Sequence, residues 1–349
     1  MKIPKAELAQ KIGKLKSVVP KKGSYKALKG ILVKDGYLIA NNMEMAVKTK
    51  IGGAEGETFL IPEKAFDLIG SLPDGEIEIR SGKNHTITIQ ANKIKNKYQT
   101  TDPAEFLMAE VQEDKNQLNV KAELLLNSMK RVSYAVASQG ANQTMTSMCL
   151  EAAGGKLHFA GLDGHVLAWD QVDYDGEFRL LIPKDTVDKL KSIGLLGEVQ
   201  IRHNQSGAVF LTEDFELYTR LVEGEYFKYR TLFKELPLHT AVSRIELLDA
   251  MTRAKTCTEE KCPVRFELTG NLLHLSIKDS TTDYEETIEL QEEMAENLTI
   301  GFNARLVLET LKAFDCETVR ISLENPKMPM IVEAEDSDFK ALVLPVTMH

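Results

Sequence analysis

The residue pair most suggestive of chemistry is Asp163 with His165, in the stretch GLDGHVLAWD (161–170). A carboxylate two positions before an imidazole could orient that ring as a general base, which would suit a hydrolase or transferase. The surrounding pattern reads as strand, polar turn, strand, so a hairpin must hold the pair. The hairpin has counterparts: GYLIANNMEMAVKTKI (36–51), GKLHFAGLDGHVLAWDQV (155–172) and NLLHLSIKDSTTDYEETIEL (271–290) share its grammar. At the turn the other two offer ANNMEM and IKDSTTDY, neither with a histidine. A structural or surface-recognition role for His165 therefore outweighs a catalytic dyad. Leu157 and Phe159 are expected to point inward with His158 outward, and Leu273, His274 and Leu275 repeat that alternation.

No glycine-rich phosphate loop, nucleophile elbow or metal-ligand set supports an enzyme elsewhere, and no cofactor is expected. Cys149, Cys257, Cys262 and Cys316 are scattered, and only Cys257 and Cys262 are close. No histidine or second cysteine pair stands at zinc spacing near them, so they read as buried or free thiols and the metal expectation is none.

The repeat extends beyond the hairpin. FLIPEKAFDLIGSLPDGEIEIR (59–80) returns as LLIPKDTVDKLKSIGLLGEVQIR (180–202) and, more faintly, as LTIGFNARLVLETLKAFDCETVRIS (298–322). Ile61, Ile182 and Ile300 start corresponding units, and each copy predicts a short apolar strand, a helix, a turn and a strand. Pro62 and Pro183 fall where a helix begins, because a missing N–H costs nothing there. A helical pattern precedes each hairpin: KAELAQKIGKLKSVV, KAELLLNSMKRVSYAVAS and SRIELLDAMTRAKTC. The expected architecture is α+β, three similar domains at 1–115, 116–238 and 239–349.

The net charge of −9 conceals an asymmetry. Residues 1–30 hold nine lysines against Glu7 alone, a net of +8, leaving −17 on the other 319 residues. An acidic chain with one basic segment can meet a polyanion on one face while its other surfaces repel it. With 43% hydrophobic and 27% charged residues, no membrane-length apolar run and no h-region in MKIPKAELAQ, the chain is expected to be globular, away from membranes and cytoplasmic.

The threefold repeat, DGHVLA in the middle copy, VEGEYFKYRTLF (222–233), IGFNARLVLETL in the third copy and the terminal ALVLPVTM (341–348) together resemble the bacterial DNA polymerase sliding clamp, the beta subunit of the replicase. The resemblance runs the length of the chain in the same order. It implies a non-catalytic homodimer, joined head to tail into a six-domain ring around duplex DNA, with helices lining the hole and sheets outside. It implies sequence-independent contact with double-stranded DNA, and DNA polymerase, clamp loader and other motif-bearing proteins as partners. Work on DNA would put the chain at the nucleoid. DNA-facing side chains are then expected at Lys11, Lys14, Lys22, Lys121, Lys130, Arg131, Lys184, Lys189, Arg253 and Lys312. The implied partner-peptide cleft comprises Met145, Leu162, Gly164, His165, Val166, Leu167, Phe227, Leu232, Asn303, Leu306, Leu342, Val343, Leu344, Pro345, Val346 and Met348.

This sequence departs from the family pattern in places. Val166, Thr231 and Thr347 stand where the family has arginine, Phe227 replaces a proline and Leu306 a tyrosine, which makes the expected cleft more apolar and less basic. At the implied dimer contact, Lys255 and Thr256 fall where an apolar pair would pack against the partner's first domain around Phe106 and Met108. A non-ring DNA-binding scaffold of the same fold, or an Asp163/His165 hydrolase, are the alternatives.

Overall fold

A computed structural model describes residues 1–23, 25–109, 116–140, 142–257, 263–278 and 282–348. The expected boundary near 115, Cys262 and part of the third hairpin's turn lie outside them. The chain forms two compact units, Met1–Leu125 with Asp188–Leu221, and Leu126–Val187 with Val222–His349.

Among the described residues there are six α-helices: α1 (Lys5–Leu15), α2 (Phe66–Ser71), α3 (Ala122–Val132), α4 (Lys184–Ile193), α5 (Arg244–Thr256) and α6 (Ala304–Lys312). In α1 the apolar residues Leu8, Ile12 and Leu15 recur at helical spacing and are buried, while lysines take the remaining face. Ser243 caps α5 by accepting from the Glu246 N–H at 3.4 Å, and the Asn303 side chain caps α6 by accepting from Arg305 N–H and Leu306 N–H. None of these helices is long and apolar enough to cross a membrane.

The first unit contains an eight-stranded antiparallel sheet in the order Thr58–Pro62, Gly30–Lys34, Tyr37–Asn41, Met45–Lys50, Phe215–Arg220, Gly207–Leu211, Glu198–His203, Asn116–Lys121. The second unit repeats it as Phe178–Pro183, Ser147–Ala153, Lys156–Leu162, Val166–Asp173, Ser337–Val343, Met330–Ala334, Thr318–Leu323, Leu238–Ser243. Each eight-stranded sheet is two four-stranded halves joined edge to edge, by Phe215–Arg220 against Met45–Lys50 and by Val166–Asp173 against Ser337–Val343. Each unit also holds a four-stranded sheet. One runs Lys2–Pro4, Glu76–Gly82, Thr86–Ala91, Ile94–Gln99, and the other Asp283–Glu289, Leu272–Lys278, Val264–Thr269, Leu298–Phe302. Ile61, Ile182 and Ile300 are fully buried at the strands that lead into helical segments in all three repeats. The α+β architecture with its recurring strand, helix and hairpin units is the one the sequence predicts.

Candidate functional site

The turn at 163–165 is built by its carboxylate. Asp163 Oδ1 accepts the backbone N–H of His165 at 2.8 Å and of Val166 at 2.9 Å, and Gly164 supplies the left-handed φ of 91° that the turn needs. The first hairpin is made the same way. Asn42 Oδ1 accepts the N–H groups of Glu44 and Met45 at 3.0 and 2.7 Å, with Met43 at φ 78°. What the first two repeats share at this position is an acceptor side chain that closes a turn. Asp163 addresses the backbone of residue 165, and His165 is exposed.

The hairpin meets the end of the chain. Val166 pairs with Val343 and Leu167 with Leu342, then Leu344 N–H donates to His165 O at 2.8 Å and Val346 N–H to Gly301 O at 2.8 Å. Met145 Cε lies 3.6 Å from where a Cβ on Gly164 would be. Alternation along the strands puts Leu167 and Leu342 into a cluster with Cys149, Leu181, Tyr226 and Tyr229, against which Leu162 packs, and sends Val166 and Val343 to the opposite face. Burial pushes the Cys149 thiol up to about 12, so it serves as packing.

The sixteen nominated cleft residues thus fall into three sets. Val166, Leu167, Leu306, Leu342 and Val343 are buried, Leu167 and Leu342 in the cluster just described. Met145, Leu162, Asn303 and Pro345 are half-buried, with Asn303 engaged as the α6 cap. Gly164, His165, Phe227, Leu232, Leu344, Val346 and Met348 are exposed and are the ones a ligand could touch. Among the exposed ones Phe227, Leu232, Leu344, Val346 and Met348 are large and apolar, three of them within the last six residues of the chain.

Two contributors escaped the sequence reading. Gly301 has no Cβ, and an added one would stand 2.7 Å from Met348 Cγ and 3.0 Å from Val346 O, so this glycine is what lets the tail lie against strand Leu298–Phe302. The signal was a glycine inside a strand pattern, LTIGF, which marks close approach of another backbone. Tyr226 anchors the segment carrying Phe227 and Leu232 by donating from Oη to Ala160 O at 3.2 Å, and burial pushes its phenol well up. Its partner is distant in sequence, and no local pattern shows that.

His158 corrects an expectation. It is buried, 5% exposed, rather than outward in solvent. The sheet face it points from is covered by the segment around Tyr229 and Phe233, which packs on Trp169, and Trp169 Nε1–H donates to His158 Nδ1 at 3.3 Å. Burial lowers the pKa of the ring, and the nearby Arg230 adds to this. His274 is half-buried and meets Thr287 Oγ1 at 3.1 Å.

The nominated DNA-facing cations divide by what already holds them. Lys22, Lys121 and Lys130 are exposed, and Lys11 and Lys14 are half-buried on α1, with Lys14 Nζ 4.9 Å from the Phe215 ring centre. Arg131 bridges Asp170 and Asp315, each at 3.5 Å, and Lys312 pairs with Glu309 at 3.0 Å. Arg253 Nε donates to Glu286 at 3.0 Å and holds that carboxyl below its usual range. Lys184 Nζ donates to Ser133 O at 3.1 Å and also to Val136 O. Lys189 is buried and donates to Lys14 O and to Ser17 Oγ, the latter at 2.9 Å, and desolvation pulls its pKa down to about 8. These two ammonium groups are structural struts before they can be anything else. Of the nominated dimer contacts, Phe106 is buried in a cluster of its own unit with Leu28, Leu32, Ile39 and Leu60, whereas Met108, Lys255 and Thr256 are exposed.

Comparison with known proteins bears directly on this arrangement. Residues 231–347, which include the tail and α6, match the family described as DNA polymerase III beta subunit, C-terminal domain. Beta sliding clamps align over most of both chains: that of Haemophilus influenzae is 26% identical over 336 residues, covering 88% of this chain and 86% of its own, and that of Pseudomonas aeruginosa is 26% identical over 298 residues, covering 83% and 81%. Over residues 231–347 the chain matches that family's C-terminal domain, and over most of its length it is similar to beta sliding clamps. The clamp fold is kept at low identity. A putative DNA polymerase III beta subunit from Eubacterium rectale superimposes with a TM-score of 0.91 at 24% identity over 99% of each chain. The Bacillus subtilis DNA polymerase sliding clamp gives 0.91 at 19% identity, covering 100% of this chain and 99% of its own. At such identities the clamp family shares a backbone, and what each member's surface recognises is set by its own side chains.

Proposed function

We propose that this chain is a DNA sliding clamp: two copies, each with domains at 1–115, 116–238 and 239–349, join head to tail in a closed ring around duplex DNA, helices inward and sheets outward. The ring tethers DNA polymerase, clamp loader and other replication or repair proteins, and it carries out no reaction of its own. Tethering raises the effective concentration of a polymerase at the primer end although each contact is weak. Lys11, Lys14, Lys22, Lys121 and Lys130 are the side chains best placed to meet phosphates, which attract any sequence and hold none in register. Partners would dock short motifs on His165, Phe227, Leu232, Leu344, Val346 and Met348, beside the buried residues Val166, Leu167, Leu306 and Leu342. The working place of such a clamp is the cytoplasm, at the nucleoid.

One observation carries the ring. In the first and second repeats, the second hairpin strand (Met45–Lys50, Val166–Asp173) pairs with the last strand of the following repeat (Phe215–Arg220, Ser337–Val343). The corresponding strand of the third repeat, Asp283–Glu289, and the corresponding last strand of the first, Ile94–Gln99, are edges of the four-stranded sheets and have no such partner among the described residues. A second copy supplies both by the same rule, head to tail, which also removes two exposed edges. The edges are complementary in charge: Lys95 and Lys97 are exposed on one, Asp283, Glu285 and Glu289 on the other. This moves the expected contact from Phe106 and Met108 to the strand Ile94–Gln99.

The test is sedimentation across a wide concentration range, with retention on circular DNA after loading. Lys95→Glu with Lys97→Glu should weaken the dimer, since each opposed pair is worth about 0.2–1 kcal/mol and like charges cost a similar amount. Adding Asp283→Lys and Glu285→Lys in the same chain should restore it. A wild-type protein that stays monomeric at micromolar concentration and slides off circular DNA would sink the reading.

A further inference from the structure

The basic segment of residues 1–30 is only partly absorbed by the proposed lining of the hole. Lys26 and Lys29 flank the short helical turn Lys26–Leu28, and together with Lys64 they line a cavity of about 350 Å³ whose other walls include Gly30, Pro62, Gln99 and Thr101. Glu63 is the one acidic residue in that lining, and among the described residues no carboxylate oxygen lies within ion-pair distance of Lys26, Lys29 or Lys64. Three unpaired ammonium groups around one concavity attract an anion with spaced charges. Immediately before Lys26 stands Tyr25, an aromatic side chain that is 55% exposed.

We propose that this cavity and the adjoining Tyr25 bind a single-stranded stretch of nucleic acid, the phosphates on Lys26, Lys29 and Lys64 and one unpaired base stacked on Tyr25. Cations that track a backbone beside an exposed aromatic ring are the parts a single strand requires. A duplex hides its base faces, so Tyr25 would be idle against it. The cavity has room for about one nucleotide, and the lysines of α1 remain for the duplex. The inference extends the clamp reading, because a strand emerging unpaired beyond the primer end would be the natural occupant, yet it can be tested without a ring on DNA.

The experiment is fluorescence anisotropy of a labelled ten-nucleotide oligo(dT), alongside retention on circular duplex DNA, for wild type, a Lys26→Ala/Lys29→Ala/Lys64→Ala variant, Tyr25→Leu and Lys11→Ala/Lys14→Ala. The cavity variant should lose oligonucleotide affinity and flatten its log–log salt slope by about 0.7 per lost phosphate contact, so about two in all, while duplex retention is unchanged. Tyr25→Leu should weaken the oligonucleotide by about 5- to 100-fold and leave an abasic strand of equal length unaffected. Lys11→Ala/Lys14→Ala should do the reverse, lowering duplex retention and sparing oligo(dT). If the triple alanine protein folds poorly, the arginine triple, which keeps the charge, should bind like wild type and Lys64→Ala alone should show a third of the slope change. Unchanged oligonucleotide binding in the cavity variants, or its loss in the α1 variant, overturns the proposal. Wild-type protein that binds oligo(dT) as expected but is not retained on circular duplex DNA would instead count against the clamp reading.

Discussion

Replacing Gly301 by alanine tests whether the C-terminal tail builds the partner surface. The new Cβ would stand 2.7 Å from Met348 Cγ, 3.2 Å from Met348 Sδ and 3.0 Å from Val346 O. The methionine can rotate away, but the Val346 carbonyl belongs to the backbone and can yield only by moving the tail. At stake are the Val346 N–H to Gly301 O hydrogen bond of 2.8 Å and the packing of Met348, which is 36% exposed and so about two-thirds buried. The bond contributes about 0.5–1.5 kcal/mol and the methionine about 1–2 kcal/mol, together about 1.5–3.5 kcal/mol if both are lost. A motif peptide that needs the tail in place should therefore bind about 10- to 300-fold more weakly, with Gly301→Ala at the low end and Gly301→Val at the high end. Global stability should change little, because Val343, where the paired strand ends, is fully buried and stays anchored. Isothermal titration with a polymerase-derived peptide reads the affinity, and amide exchange at Val346 reads whether the tail has moved. Wild-type affinity in a protein whose Val346 amide now exchanges freely would refute the placement of the partner surface at the tail.

Three further outcomes are expected. Removing residues 344–349 should abolish peptide binding in the same titration while leaving the sedimentation mass of the assembly unchanged; unaltered affinity would move the site elsewhere. Asp163→Asn should be tolerated within about 0.5 kcal/mol, since Asn42 does the equivalent work in the first hairpin, whereas Asp163→Ala, which orphans the N–H groups of His165 and Val166, should cost about 1–3 kcal/mol in chemical denaturation. Equal losses for both would mean that the charge, and not the turn, is what matters. Lys189 binds its proton less tightly folded, at about 8, than unfolded, near ~10.4, so the buried ammonium costs stability in full below the lower value and the cost fades as pH rises through the interval. Relative to Lys189→Met, wild type should therefore gain stability between about pH 7.5 and 9.5, and parallel profiles would show that the group is not desolvated.

The sequence by itself determined the local vocabulary. Leu8, Ile12 and Leu15 at helical spacing dictate α1, the Ser243 cap starts α5, and the alternation of Leu273 and Leu275 makes a strand, because each of these depends on neighbours within a few residues. The threefold recurrence of that vocabulary was equally readable, since the same local physics was written out again at each copy. Tertiary structure decided which edges meet. Hydrogen bonding between strands is indifferent to sequence distance, so nothing near residue 45 announces that Met45–Lys50 pairs with Phe215–Arg220, nor that Ile94–Gln99 has a strand partner on one side only among the described residues. It also decided which polar groups are spoken for. His158 is outward by alternation, but a chain segment more than sixty residues later covers that face, and Lys184 and Lys189, surface charges by their sequence, donate to the carbonyls of Ser133 and Lys14, far from them along the chain. Burial is a property of the whole fold, and a side chain's charge, reach and availability are settled only when the last segment to pack against it is known.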